Sequence, residues 1–473
     1  MSTASRLPAF RNRVWAVTAA LMLLPVTLPA ATPAAPTRSG GVTAAPVTIR
    51  SGPRELPGTV FTPAVASGPT PAVVIVHDAG PRERSHYEPE ARALAAAGIT
   101  TLVYDKRTDG YSLTDRSFPA LADDALAAVR ALRSWPGIDP HRVGLLGRSE
   151  GGWVAPLAAS RSPEVAFVVT VGASGLPPAR TQAWSNITQL DHAGVRPSLL
   201  RPLGVRFTRV LVAAGMFGAA DYDPVPMLIR VRQPVLAVFG EHDRSTAPGE
   251  SVDIFRTALE RGGNRSYTIR VVANADHELR HSTTGFGQAD DFAPGYVELV
   301  ASWITGLSPK PPAASADPAP PQRFRSAVLP TLAWYESLPV QLGALLAMLG
   351  AFVAYPVAGI VRRIRGRRDS SPVRKPARVL AVLGPVTVVG SVLYLGYLTA
   401  TGALTIGPVV AGRPAPFLLL QLLAVAVVTA AVLTAVAWWR DRQQATSRKA
   451  IGLALTGAAI FVPWGAYWGL FAV

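Results

Sequence analysis

The sequence contains no cysteine. That excludes disulfides, thiolate-held metal and a cysteine nucleophile, and leaves the compartment open. Acidic residues are few beside basic ones, 30 Asp and Glu against 46 Lys and Arg. The net charge of +16 would suit a nucleic-acid binder if the basic residues shared one folded face. They do not. Arg6, Arg11 and Arg13 open the chain, eight Lys/Arg crowd residues 362–378, and four more lie in 440–449. Each of these segments flanks a long apolar run, the distribution that membrane topology imposes. No nucleic-acid partner is expected.

What is plentiful is apolar, 49% of 473 residues, enough chain for two or three domains. Arg6, Arg11 and Arg13 precede the apolar stretch Val14–Leu24 and a small-residue region, Pro25–Ala31. This pattern predicts a secretory signal or an uncleaved signal anchor. Residues 31–46, rich in Ala, Pro and Thr, read as a flexible leader, so the leader region is placed at 1–46. Residues 308–323 are dense in Pro, Ala and Ser and begin a linker that runs to 337. Beyond it lie four apolar segments, at about 338–361, 379–400, 415–438 and 450–472, each long enough for the roughly 20 residues that a bilayer requires. The basic clusters fall between the first and second spans and between the third and fourth. Placing both in the cytoplasm puts 401–414, the end of the chain and everything before residue 338 outside. The signal-like start predicts the same orientation: a multi-pass protein of the cell membrane with residues 47–307 extracytoplasmic.

Residues 47–307 alternate apolar runs of strand length with helix-length segments. Strands are expected at 72–77 (AVVIVH), 101–104, 143–146, 165–171, 235–239 and 269–272, and helices at 88–97, at 121–133 and from 149. Such alternation implies a mostly parallel sheet with helices on both faces. The stretch 174–230 interrupts the rhythm and is far longer than an ordinary connection. It is expected to form a helical cap over the active edge of the sheet.

Gly147-Arg148-Ser149-Glu150-Gly151 fits G-x-S-x-G, the nucleophile elbow. A serine there sits on a strained strand-to-helix turn, with small neighbours that let the backbone close around it. A serine hydroxyl needs a base to take its proton, and the usual base is a histidine oriented by a carboxylate. In the chain order Ser, acid, His, four histidines follow Ser149: His192, His242, His277 and His281. His277 follows the strand 269–272 and is the expected base, with His281 in reserve. Asp243, directly after the strand 235–239, is the expected acid, with Glu241 and Asp276 as rivals. Strand carboxyl ends are where active-site groups converge in open α/β sheets. The oxyanion requires backbone N–H donors, expected from Glu150 and from Ala79 in the loop after the first apolar strand. No metal or cofactor is required.

The motifs VIVHDAGP (74–81), YDKRTDGYS (104–112), LADDALAAVRALRSWPGIDPHRVGLLGRSEGG (121–152), GEHD and ADHEL resemble those of the α/β-hydrolase superfamily. Within it they are similar to the dienelactone-hydrolase-like, serine aminopeptidase-like and acyl esterase group. The resemblance covers 72–307 and leaves the four spans aside. It implies an α/β-hydrolase fold, with Ser149 as nucleophile, Asp243 as acid, His277 as base, and Ala79 and Glu150 as oxyanion donors. Asp78 departs from the glycine of such loops, Thr108 from a second frequent glycine and Arg148 from a frequent histidine. A carboxylate aimed at an oxyanion would oppose catalysis, so the side chain of Asp78 is expected to point away.

The expected function is membrane-anchored cleavage of esters, with thioesters or amides as alternatives, on a small-molecule or lipid-like acyl substrate. A serine aminopeptidase is the alternative among enzymes. A transporter or sensor module carrying a non-catalytic hydrolase-like domain is the alternative outside them. The spans argue against transport, since they hold few ionisable residues; Gln341 and Gln421 are their polar exceptions.

Overall fold

The computed structural model describes residues 37–39, 41–287, 289–366, 373–440 and 448–472. The signal-like segment and parts of both basic loops lie outside them. Among the described residues, ten strands form one sheet: β1 (Thr37–Ser39), β2 (Val42–Ser51), β3 (Arg54–Pro63), β4 (Thr70–Val76), β5 (Thr100–Tyr104), β6 (Ile138–Arg148), β7 (Val168–Val171), β8 (Val235–Gly240), β9 (Tyr267–Val272) and β10 (Ser315–Ala316). Their order is β1-β2-β3-β5-β4-β6-β7-β8-β9-β10. From β5 to β10 all neighbours are parallel, whereas β1, β2 and β3 are antiparallel. The ordered domain therefore begins before residue 47: Val42 pairs with Pro63, and the hairpin runs to Ser51 and Arg54. The first few of these residues, expected to be leader, are strand because they hydrogen-bond along an open sheet edge.

Every residue of β4 is buried, as a central parallel strand requires. Successive side chains point to opposite faces. Ala72, Val74 and Val76 meet α2 (Phe118–Arg133), α3 (Gly151–Ala159) and α8 (Pro248–Arg261). Val73 and Ile75 meet α1 (Glu88–Ala96) and α9 (Tyr296–Thr305). Helix α2 starts where the Ser117 hydroxyl accepts from Ala120 N–H, with Pro in the first turn. The result is an α/β-hydrolase fold, with helices on both faces of a mostly parallel sheet.

The insertion after β7 is helical: α4 (Pro178–His192), α5 (Pro197–Arg201), a π-helical turn at Pro202–Arg206, α6 (Phe207–Ala213) and α7 (Val225–Leu228). The connection after α9 is tied to the hydrolase domain. Glu250 accepts from Ser326 N–H and Oγ–H, both at 2.8 Å, and from Gln322 Nε2 at 2.6 Å. Trp184 Nε1 donates to Phe324 C=O at 2.7 Å.

Helices α10 (Leu338–Ile364), α11 (Arg374–Ala400), α12 (Ala415–Arg440) and α13 (Arg448–Tyr467) are long and apolar enough to cross a membrane. Between α11 and α12 the short strands β11 (Val409–Val410) and β12 (Arg413–Pro414) pair with each other. Large apolar side chains such as Leu346, Ile360, Leu393 and Leu422 face outward. The cap rests on the bundle end formed by the starts of α10 and α12 and the finishes of α11 and α13. Leu190, Val195, Leu199, Leu200, Leu203 and Val210 share one apolar cluster with residues of these helices. Arg196 N–H donates to Gly412 C=O at 2.9 Å. Arg209 forms a buried ion pair with Glu336, just ahead of α10, at 3.1 Å. Gln341 accepts from Trp468 Nε1, and Gln421 donates to Gly469 C=O. Both glutamines thus have partners near the end of α13.

Candidate active site

Ser149 stands between β6 and α3 with φ of 48°. A non-glycine residue in this region carries strain of order 1–3 kcal/mol and persists only where its surroundings enforce it. Here they do. A Cβ on Gly147 would lie 2.1 Å from Gly151 O, and one on Gly151 would lie 2.2 Å from Val76 O. The two glycines of the motif let strand, turn and helix close on one another. Ser149 N–H donates to Val171 C=O at 2.9 Å, while its hydroxyl makes no hydrogen bond among the described residues.

Asp243 follows β8 and is fully buried. One carboxylate oxygen accepts from Ser245 N–H and Thr246 N–H. The other accepts from Thr246 Oγ–H at 2.6 Å and from His277 Nδ1–H at 2.9 Å. Burial alone would raise its pKa, but the charge of His277 and these hydrogen bonds hold it below the ordinary value. His277 shows the reverse balance. Burial lowers its pKa, yet the Asp243 carboxylate and its hydrogen bond raise it overall. With Nδ1 engaged, Nε2 is the open ring nitrogen, on a side chain 23% exposed. The ring lies against Gly172, next to the Val171 that binds Ser149 N–H. Serine and histidine therefore pack on adjacent residues at one strand end. No hydrogen bond joins them among the described residues.

The rivals sit elsewhere. Asp276 accepts from Glu278 N–H and Arg280 N–H within its own turn. Glu241 accepts from Asn274 N–H. His242 faces Glu241 and Arg244, His281 is exposed, and His192 stacks on Phe286.

The loop after β4 lies beside the elbow, since β4 pairs with β6 up to Val76 and Gly147. His77 is buried under it, its pKa pushed down to about 3 by burial and by Lys106. Asp78 Oδ1 accepts from Arg82 Nε and Tyr87 OH, both at 2.7 Å. Burial would raise the pKa of Asp78, but Arg82 and these bonds lower it overall. Its charge is thus turned to Arg82, as the motif departure requires. Ala79 N–H and Glu150 N–H donate no hydrogen bond to any described residue.

Several residues lacked a role in the sequence reading. Arg148 donates to Glu90 Oε2 at 2.7 Å and to Glu278 C=O at 3.1 Å. It joins the residue before Ser149 to the residue after His277. Lys106, Tyr111 and Arg116 surround the buried carboxylate of Glu150. Lys106 and Tyr111 lie inside the motif YDKRTDGYS, but nothing in that string says which groups they meet. Among the described residues no cluster of three His, Asp or Glu is arranged to hold a metal.

Fold and constellation together define an α/β-hydrolase domain of the serine type. A model of the prolyl oligopeptidase family matches residues 119–294, a stretch that includes Ser149, Asp243 and His277. The esterase EstD of Thermotoga maritima is 29% identical over 215 residues, 40% of this chain and 50% of that protein. The thiohydrolase apmlB of Arthrinium phaeospermum is 36% identical over 95 residues, 19% of this chain and 31% of that protein. The chain thus spans half or less of the length of these relatives. Among solved structures, a putative dienelactone hydrolase from Klebsiella pneumoniae overlays with a TM-score of 0.39 at 18% identity, covering 56% of this chain and 99% of that one. Dienelactone hydrolase from Anabaena variabilis gives 0.36 at 21% identity, covering 56% and 97%.

Proposed function

We propose that this protein is a membrane-anchored serine hydrolase that cleaves acyl esters. The observation that carries the reading is the convergence at the carboxyl ends of β4, β6, β8 and β9. There a strained serine, an Asp–His pair with an open Nε2, and two N–H groups without a partner among the described residues meet at one sheet edge. Ser149 Oγ attacks the substrate carbonyl while His277 Nε2 takes its proton. Asp243 fixes the ring tautomer and stabilises the imidazolium. Ala79 N–H and Glu150 N–H hold the oxyanion. His277 returns the proton to the leaving group, and water, deprotonated by the same ring, releases the acyl chain from Ser149.

Esters are favoured over amides because their leaving group demands less, and the likeness to EstD points the same way. The match to the prolyl oligopeptidase family model makes peptides the second substrate class to be assayed. A cap seated on apolar helices suits an amphiphilic acyl substrate. The test is labelling of the full chain, in detergent, with a fluorophosphonate probe, followed by turnover of p-nitrophenyl esters of graded length and of peptide anilides. Wild type is expected to label and Ser149→Ala to stay blank. Persistent labelling of the alanine variant would discard Ser149 as the nucleophile, and faster anilide than ester turnover would reverse the preference.

A further inference from the structure

Glu150 poses a physical question. Its backbone N–H is a proposed oxyanion donor, yet its side chain is a carboxylate with no exposed surface. An uncompensated buried charge is strongly destabilising, and a negative one here would oppose the oxyanion. The surroundings answer both points. Glu150 Oε1 accepts from Lys106 Nζ at 2.6 Å and from Tyr111 OH at 2.7 Å, and Oε2 from Arg116 at 3.1 Å. Lys106 and Arg116 are themselves 2% and 5% exposed. Two cations facing one anion leave this cluster net positive.

The bonds also fix a direction. An ammonium has three donors. Lys106 Nζ donates to Glu150, to Tyr111 OH at 2.8 Å and to Asp78 C=O at 2.7 Å. The Tyr111 oxygen also accepts from Gly80 N–H at 3.0 Å. Asp78 C=O and Ala79 N–H belong to the same peptide unit. In a planar trans peptide these two groups point in opposite directions. Holding the carbonyl oxygen on Lys106 therefore aims Ala79 N–H away from Lys106. A cation on the carbonyl also polarises the unit and strengthens its N–H as a donor.

We propose that Lys106, seated on Glu150 and Tyr111, is a positioning residue that aims and polarises the Ala79 N–H of the oxyanion hole. One buried network then ties both oxyanion donors together, since the anchor of Lys106 is the side chain of the second donor. The inference rests on the serine-hydrolase reading above.

The experiment uses full-length protein in detergent and compares wild type, Lys106→Met and Tyr111→Phe. For each it measures kcat and KM on a short acyl ester, the Ki of a trifluoromethyl ketone that forms a tetrahedral adduct, and the fraction titrated by a fluorophosphonate. Losing an oxyanion donor costs on the order of 10²–10³ in kcat. Misaiming one is expected to lower kcat per titrated site by about 10–100-fold in Lys106→Met, with KM within about twofold and Ki weakened in proportion to kcat/KM. Tyr111→Phe keeps the ring and removes one anchor, so a smaller loss along the same line is expected and tests the idea even if Lys106→Met does not fold. Unchanged kcat per titrated site in either folded variant, or a loss carried by KM with Ki unmoved, overturns the proposal. If wild type itself neither labels nor turns over esters, the serine-hydrolase reading is what has failed.

Discussion

In the proposed mechanism the His277 ring must be neutral to take a proton from Ser149, and its pKa is raised above the ordinary 6.5. The sign of the pH dependence follows. Activity is expected to be absent at acid pH, where the ring is charged, and kcat/KM to climb through a limb lying above pH 6.5. Asp243→Asn removes the carboxylate that raises the pKa and leaves burial, which lowers it. The variant's acid limb is expected to move to lower pH while kcat drops by on the order of 10³–10⁴. A pH–rate profile of both proteins checks this, and an unmoved limb would show that another group governs it. The sequence pointed to Ser149, Asp243 and His277 because each sits at a strand end in a recognisable chain order. It could not assign Lys106 or Arg148. Their partners lie 44 and 130 residues away, at Glu150 and Glu278, and no local pattern encodes such a meeting.

At the scale of elements, β10 lay hidden in a Pro- and Ala-rich stretch, but most of the parallel strands were readable because each carries a short apolar run. The hairpin β2–β3 was not, because Pro46, Pro57 and Gly58 interrupt its alternation. Prolines and glycines weaken a strand reading, and here the ten-residue pairing overrides them. The length of 174–230 marked it as a cap rather than an ordinary connection, while its seat on the bundle needed three dimensions. The ion pair Arg209–Glu336 tests that seat, with side chains 7% and 10% exposed. Removing one partner of a buried pair costs about 3–5 kcal/mol. Arg209→Met is therefore expected to unfold at markedly lower temperature in detergent, and Arg209→Met with Glu336→Gln to recover part of the loss. Equal melting of wild type and Arg209→Met would mean that the junction does not depend on this pair.

For the whole molecule, the bundle end that carries the cap is opposite the end where α10 and α12 run into the basic segments, at Ile364 and Arg440. A cytoplasmic placement of those segments therefore carries the proposal that the hydrolase domain faces outward. Alkaline phosphatase fused to the end of the full chain, beyond the α13 finish at the cap end of the bundle, is expected to be active, and green fluorescent protein at the same point dark. The opposite pair of signals would invert the orientation.

The cap and the helices share a single apolar interior, and the connection between them is laced to Glu250 and Trp184. The two halves are therefore not separable modules joined by a tether. Cutting the chain after residue 307 would bare Leu190, Val195, Leu199 and Leu203 to water and strip Arg209 of its counter-ion. What would be released is a protein with a sticky underside rather than a soluble enzyme. By the same token the cap has a fixed foot, and whatever parts to admit substrate must be something other than the cap swinging free of the apolar helices.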